Sequence, residues 1–247
     1  MSIWAIADLH LSFGVPNKAM DVFGEAWINH PEKIKMHWEQ TISPDDLVLL
    51  AGDLSWGIHP HEAKADLEWL DSLPGTKVLV RGNHDYWWTS LSKVEKILPP
   101  SIHIIQNSVF RWNGVAIGGA RLWDTPEYSF GSAIEYKENL RENVLIKKED
   151  AKEAEKIFQR ELIRLEMSLK CFRDDPVKIA MTHYPPIGAE LRESRVSNLL
   201  EKYGVSLCVF GHLHNVKPNE LPFGIRNGVR YVLTACDYLQ FTPIKVY

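Results

Sequence analysis

The chain has 247 residues, 45% of them apolar, enough to bury a substantial core. Lys plus Arg number 28 against 32 Asp plus Glu, a formal charge of −4 with no long block of one sign; non-specific attraction to nucleic acid or an anionic membrane is therefore unsupported. No bilayer-length apolar run, no secretory pattern after Met1 and three cysteines (Cys171, Cys208, Cys236) outside any CxxC pair predict a cytoplasmic chain with reduced thiols.

Ser2 to Ala7 reads as a short buried strand with Asp8-Leu9-His10 at its exit. Leu11 to Thr41 reads as loop and then helix, since the amphipathic stretch near Pro31 to Ile42 opens on a proline suited to a first helical turn. Asp46 to Ala51 is a second buried strand, and Gly52-Asp53 follows it. Pro60 to Leu73 places Ala63, Leu67 and Leu70 at helical spacing, Pro74-Gly75 breaks that helix, and Thr76 to Val80 forms a third strand. Strand, helix, strand predicts right-handed parallel crossovers.

At the third strand's tip Gly82 turns the backbone, so that Asn83, His84 and Asp85 stand together. Beyond Tyr86-Trp87-Trp88 a helix through Leu98 closes at Pro99-Pro100. Short strands around His103 to Gln106, Ser108 to Trp112 and Val115 to Gly118, with Asn113-Gly114 as a hairpin turn, make part of the sheet antiparallel. Arg121 to Asn143 is loop-like and aromatic, with Trp123, Tyr128, Phe130 and Tyr136. From about Lys147 to Phe172, Phe158, Leu162, Leu165 and Leu169 form one helix stripe, and the many Lys and Glu residues form a solvated face. Pro176 to Met181 is a strand ending at Thr182-His183, a short helix runs near Val196 to Tyr203, and the strand Val205 to Phe210 ends at Gly211-His212-Leu213-His214. Val229 to Thr234 and Ile244 to Val246 are closing strands. Without repeats or a linker, residues 1–247 read as a single domain with an insert at about 121–172.

Apolar strands thus end repeatedly in Asp, Asn or His. The carboxyl ends of strands in an open α/β sheet share one edge, where ligands bind, so these residues are expected to converge. Asp-x-His and Gly-Asp are each ordinary turn chemistry, and His183 alone reads equally well as a packing histidine. Gly82-Asn83-His84-Asp85 and Gly211-His212-Leu213-His214 are more specific, because imidazoles at i and i+2 reach adjacent points of a metal site. Asp8, His10, Asp53, Asn83, His84, His183, His212 and His214 exceed the needs of one tetrahedral zinc and include oxygen donors suited to six-coordinate ions. Two cations roughly 3.5–4 Å apart, bridged by Asp53, would acidify a bridging water and clamp both oxygens of an in-line displacement. That chemistry is phosphoester hydrolysis.

In this order the motifs resemble the calcineurin-like metallophosphoesterase family, over residues 8 to 214. The resemblance implies an α/β fold, a four-layer α/β/β/α sandwich of two mixed β-sheets flanked by helices. It implies one metal on Asp8, His10 and His214, another on Asn83, His183 and His212, and Asp53 as the bridge. His84 would be catalytic, stabilising or protonating the leaving oxygen, and the cofactors would be two divalent ions among manganese, iron, zinc, nickel and cobalt. A small-molecule phosphomonoester or phosphodiester is the expected substrate. A nuclease is disfavoured by the charge balance, and a non-catalytic scaffold by the completeness of the ligand set.

Arg121 is expected to contact a substrate phosphate, since a guanidinium matches phosphate oxygens bidentately. Trp56 and Trp123 are candidates to line the pocket, part of the insert is expected to cap it, and Asp85 either orients a neighbour or starts a helix. His30, His37, His59, His61 and His103 read as surface or packing residues, with His30 and His59 the ones expected nearest the site.

Overall fold

The computed structural model describes residues 1–135, 151–217 and 223–247. Its strands are β1 (Ile3–Ile6), β2 (Leu47–Leu50), β3 (Thr76–Leu79), β4 (Ile102–Ile104), β5 (Val109–Trp112), β6 (Val115–Ala120), β7 (Val177–Thr182), β8 (Leu207–Phe210), β9 (Ile225–Arg226), β10 (Val229–Leu233) and β11 (Ile244–Lys245). The helices are α1 (His30–Thr41), α2 (Pro60–Asp71), α3 (Leu91–Glu95), α4 (Ala151–Leu169) and α5 (Arg195–Lys202).

Two mixed sheets result, one ordered β11-β1-β2-β3-β4 and the other β5-β6-β7-β8-β10-β9. In the first, β1 to β4 run parallel and β11 antiparallel; in the second, β6, β7, β8 and β10 run parallel, with β5 and β9 antiparallel at the edges. The predicted parallel crossovers and the Asn113-Gly114 hairpin are both present, with φ of 46° and 80° at those two residues.

The two-residue period of a strand builds the layers. Ile3, Ala5, Leu47, Leu49 and Val78 point from the first sheet into a core shared with Ile117, Ile179, Met181 and Val209 of the second. Their neighbours Ile6, Val48, Leu50 and Leu79 turn the other way, onto Ile34 and Trp38 of α1 and Leu67 and Leu70 of α2. Cys208 and Phe210 likewise meet Phe158, Leu165 and Leu169 of α4 and Leu200 of α5. Strands buried on both faces must be apolar throughout, which is why they read as uninterrupted hydrophobic runs. The α/β/β/α sandwich is therefore the observed architecture.

Some elements differ from expectation. β9 pairs with β10 through a turn at Asn227-Gly228, but two residues are too few to show a period. The helix expected up to Leu98 is only Leu91–Glu95. The start of the long helix at Lys147, together with Tyr136 and Asn143, lies outside the described residues. Of its apolar stripe, Phe158, Leu165 and Leu169 are buried and Leu162 is half-buried, yet Glu161 is also buried, at 1% exposure, so the charged face is not wholly solvated. Among the described residues no helix is long and apolar enough to cross a membrane.

Candidate metal centre

At one edge of the sandwich the two sheets are bonded to each other. The Ala7 N–H beyond β1 donates to the Thr234 carbonyl beyond β10 at 2.7 Å, and the Cys236 N–H returns to the Ala7 carbonyl at 3.0 Å. Asp8, Asp53 and Asn83 leave the first sheet here, and His183, His212 and His214 leave the second. The backbone N–H of His212 donates to the Asp8 carboxylate at 3.0 and 3.2 Å, so the seam is closed by a motif residue on each side.

Donor atoms gather into two groups, Asp8, His10 and His214, and Asp8, Asp53 and His183, each within 4.8 Å. Asn83 and His212 adjoin the second group, with Asn83 Oδ1 2.6 Å from His183 Nε2 and 3.1 Å from His212 Nδ1. Asp53 Oδ2 stands 3.8 Å from His10 Nε2 and 3.4 Å from His183 Nε2, so one oxygen faces both groups. All seven residues expected as ligands therefore converge. His84 lies beside them, its ring 5.7 Å from that of His10 and 4.6 Å from that of Trp56.

At His183 the donors meet lone pair to lone pair. His183 Nδ1–H donates to the Ala51 carbonyl at 3.0 Å, which leaves Nε2 bare against Asn83 Oδ1 and Asp53 Oδ2. His214 Nδ1–H donates to Asp237 Oδ1 at 2.9 Å and turns Nε2 toward His10 Nε2 at 3.2 Å. Facing acceptors repel unless a positive charge lies between them, so the donor set fits divalent cations.

Burial and crowding shift the titration of these groups, with His214 apart from the other imidazoles. Burial pushes the Asp8 carboxyl up to about 7, and burial with neighbouring Asp85 and Asp8 holds Asp53 well above the usual range. Burial and surrounding imidazoles hold His10 and His183 well below theirs, His84 down to about 4 and His212 to about 3. Burial alone would lower His214 as well, but the Asp237, Asp8 and Asp53 carboxylates together outweigh it and push the ring up to about 9, so that without a cation it donates Nε2–H toward His10.

The backbone is strained at the same points. Asp8, His10, Asp53 and His212 take φ of 59°, 45°, 53° and 72°, in the left-handed region. Such strain costs about 1–3 kcal/mol per residue and persists only where the surroundings over-determine it. The motif glycines permit the close approach, because a Cβ at Gly82 would fall 2.0 Å from Asp53 Oδ1 and one at Gly211 2.3 Å from Asp8 Oδ2.

Asp85 does orient its neighbours, and no helix begins there. Its buried carboxylate accepts the N–H groups of Asp53 (2.9 Å), Leu54 (3.0 Å), Ser55 (3.3 Å) and Gly82 (2.7 Å), and Trp87 Nε1–H (3.0 Å). The loops after β2 and β3 are thereby tied together. Asp85→Ala strands those donors in the interior, and chemical denaturation should register a loss of about 4 kcal/mol or more; a loss under about 1 kcal/mol would contradict this role.

Several supports were not foreseen. Asp237 orients His214, and its signal was one more strand end, β10 followed by Thr234-Ala235-Cys236-Asp237. His30 is buried and its Nε2–H donates to the Leu9 carbonyl at 2.9 Å, bracing the Asp8-Leu9-His10 turn. His59, by contrast, is exposed at the start of α2. Trp56 stacks on His10 at 4.9 Å, and with Trp27, Asp53 and His84 it lines a cavity of about 340 Å³. A larger one of about 690 Å³, walled by Trp123, Tyr128, Phe130 and Tyr184, meets it at His212.

Arg121 joins neither cavity. Its carbonyl accepts the His183 and Tyr184 N–H groups, and its guanidinium turns to Glu161 of α4 at 3.2 Å, over the Trp123 ring. The side chain lines a separate recess, away from the place expected for a substrate phosphate.

Solved structures and curated proteins similar to this chain, or to part of it, are low in identity and differ in coverage. A protein of unknown function from Aquifex aeolicus aligns over 99% of this chain and 95% of its own, at 16% identity and a TM-score of 0.49. A phosphopantetheinyl hydrolase from Mycobacterium tuberculosis aligns over the same shares at 15% identity and a TM-score of 0.54, a likeness of fold. The Gene 66 proteins of Mycobacterium phages L5 and D29 are 33% and 31% identical over 86 and 84 residues. Those matches take in 33% and 34% of this chain and only 39% and 40% of the phage proteins. The family model for calcineurin-like phosphoesterases matches residues 1–216, from β1 through both Gly-His-x-His imidazoles. By that match, and by the sandwich on which its motifs converge, the chain belongs to the calcineurin-like phosphoesterase family.

Proposed function

We propose that the protein is a dinuclear metal-dependent phosphohydrolase. One observation carries the reading: Asp53 Oδ2 lies within 4 Å of an imidazole Nε2 from each donor group, at 3.8 and 3.4 Å. Asp8, His10 and His214 would hold one ion, Asn83, His183 and His212 the other, with Asp53 between. Divalent ions there supply Lewis acidity toward phosphoryl oxygens and a nucleophile at neutral pH.

The chain's own groups do the rest. The His84 backbone N–H donates to Asp53 Oδ1 at 2.8 Å, which fixes the carboxylate and leaves Oδ2 facing the donors. The His84 ring lines the same cavity as Asp53, and its buried Nδ1 has no partner among the described residues. Neutral at pH 7, it offers one N–H to an incoming oxyanion and is placed to steady the leaving oxygen. Trp27 and Trp56 exclude water from one side of the cavity.

The reading is tested with aryl phosphomonoesters, phosphodiesters, nucleotides and single-stranded DNA in added manganese. Hydrolysis that disappears on chelation and returns with metal is expected, and inertness toward every class would refute it. The organic part of the substrate is assigned to the aromatic cavity beside His212. Trp123→Ala should reorder substrate preference by on the order of 10-fold, measured as kcat/KM ratios, while metal content stays unchanged. An unaltered ranking would remove the insert from substrate selection.

A further inference from the structure

Beside the metal edge, between the ends of β3 and β6, a recess of about 90 Å³ is lined by Arg81, Arg121, Arg164, Glu161, Gln106 and Thr89, among others. Three guanidiniums line it and Glu161 is the lone carboxylate. Glu161 Oε1 takes Arg164 Nη1 at 2.6 Å and Arg121 Nη2 at 3.2 Å, with Arg160 Nε, from outside the recess, at 3.7 Å. Its charge is spent. Arg81 has no ion pair or side-chain hydrogen bond among the described residues, and the buried Nε atoms of Arg81 and Arg121 have no partner among them either.

Among the lining residues Glu161 offsets one of the three positive charges, and Asp85, whose carboxylate already accepts five N–H groups, acts on Arg81 only at longer range, so the recess keeps a positive excess. A partly buried guanidinium without a counter-charge is costly, and its planar fork of donors is shaped for oxyanions. Arg81 is held there because it immediately precedes Gly82, whose position is dictated by Asp53 and Asp85. Arg121 is held because its carbonyl anchors His183 and Tyr184. The volume suits one tetrahedral oxyanion and is too small for a nucleotide.

We propose that this recess is a second anion site that takes one phosphate group, separate from the metal centre, with Arg81 and Arg121 as its principal donors and Arg164 at the rim. The shared chemistry is a phosphate-type oxyanion, either the free ion or the phosphoryl end of a larger molecule. Gln106, which accepts Trp88 Nε1–H at 2.8 Å, and Thr89 add polar lining.

Binding is measured by calorimetric titration of the metal-loaded full chain with inorganic phosphate and, separately, with phenylphosphonate, which resists hydrolysis. Wild type is expected to bind two equivalents of inorganic phosphate, and Asp53→Ala to retain one. Arg81→Gln should weaken that retained site roughly 10- to 100-fold, the loss expected from one charge-assisted contact. It should also raise the unfolding temperature in phosphate-free buffer, because a repulsive charge is gone, so a folding defect is not mistaken for lost binding. Arg164→Gln, at the exposed rim, should weaken the site less. Weakening for inorganic phosphate alone assigns the free ion; weakening for both probes assigns a phosphoryl group on a larger molecule. An Arg81→Gln titration identical to wild type, or a single equivalent in wild type that Asp53→Ala abolishes, would overturn the site and leave the metal reading intact.

Discussion

Asp53→Ala is expected to lose bound metal and phosphoester hydrolysis together. Its carboxylate presents a single oxygen to an imidazole Nε2 of each donor set, with Oδ1 held by the His84 N–H and Oδ2 directed at His10 and His183. Changes to groups that merely orient a ligand typically cost about 10–100-fold in metal affinity, and loss of a shared ligand should exceed that. The thermal signature separates this from misfolding. In wild type, cation at a hundred times its dissociation constant should stabilise the chain by about 2.7 kcal/mol. In the variant that increment should vanish, while the metal-free chain unfolds at nearly the wild-type temperature, since burial beside Asp85 and Asp8 already disfavours the Asp53 charge. Full metal content after dialysis would remove Asp53 from the bridging role.

His84→Ala should give the opposite pairing, metal retained and turnover lost. The ring belongs to neither donor group, and its backbone N–H, which holds Asp53, survives the substitution. Proton transfer or donation by a positioned imidazole contributes about 10²–10⁴-fold, so kcat should fall by that factor with metal stoichiometry unchanged. His84→Gln restores a donor and should recover part of the loss. A His84→Ala protein depleted of metal would show that the ring supports the ligands instead.

The layers and the convergence of the candidate ligands were legible in the sequence for one reason. Doubly buried strands must be apolar along their length, so Leu47 to Leu50 and Leu207 to Phe210 announced themselves, and the polar residue after each marked the edge. Order along the chain then stood in for proximity in space. What stayed hidden depends on contacts without a local period. Asp85 captures donors up to 32 residues away, and Asp237 reaches back 23 residues to His214. Arg121 sits at a strand end like the candidate ligands, but the left-handed turn at Leu122, φ 64°, and the pull of Glu161 send its side chain elsewhere. Position at a strand tip brings a residue to the edge and leaves its direction to the backbone.

The pocket's walls come from both sheets: Asp8, Asp53 and Asn83 from one, His183, His212 and His214 from the other. Neither half of the sandwich possesses the full donor set by itself, and the metal-facing surface comes into being only once the halves have docked. Any ligand that spans the join therefore acts as a fastener, and the free energy of its capture is added to the cohesion of the molecule. Catalytic readiness and structural integrity are in this chain a single linked equilibrium.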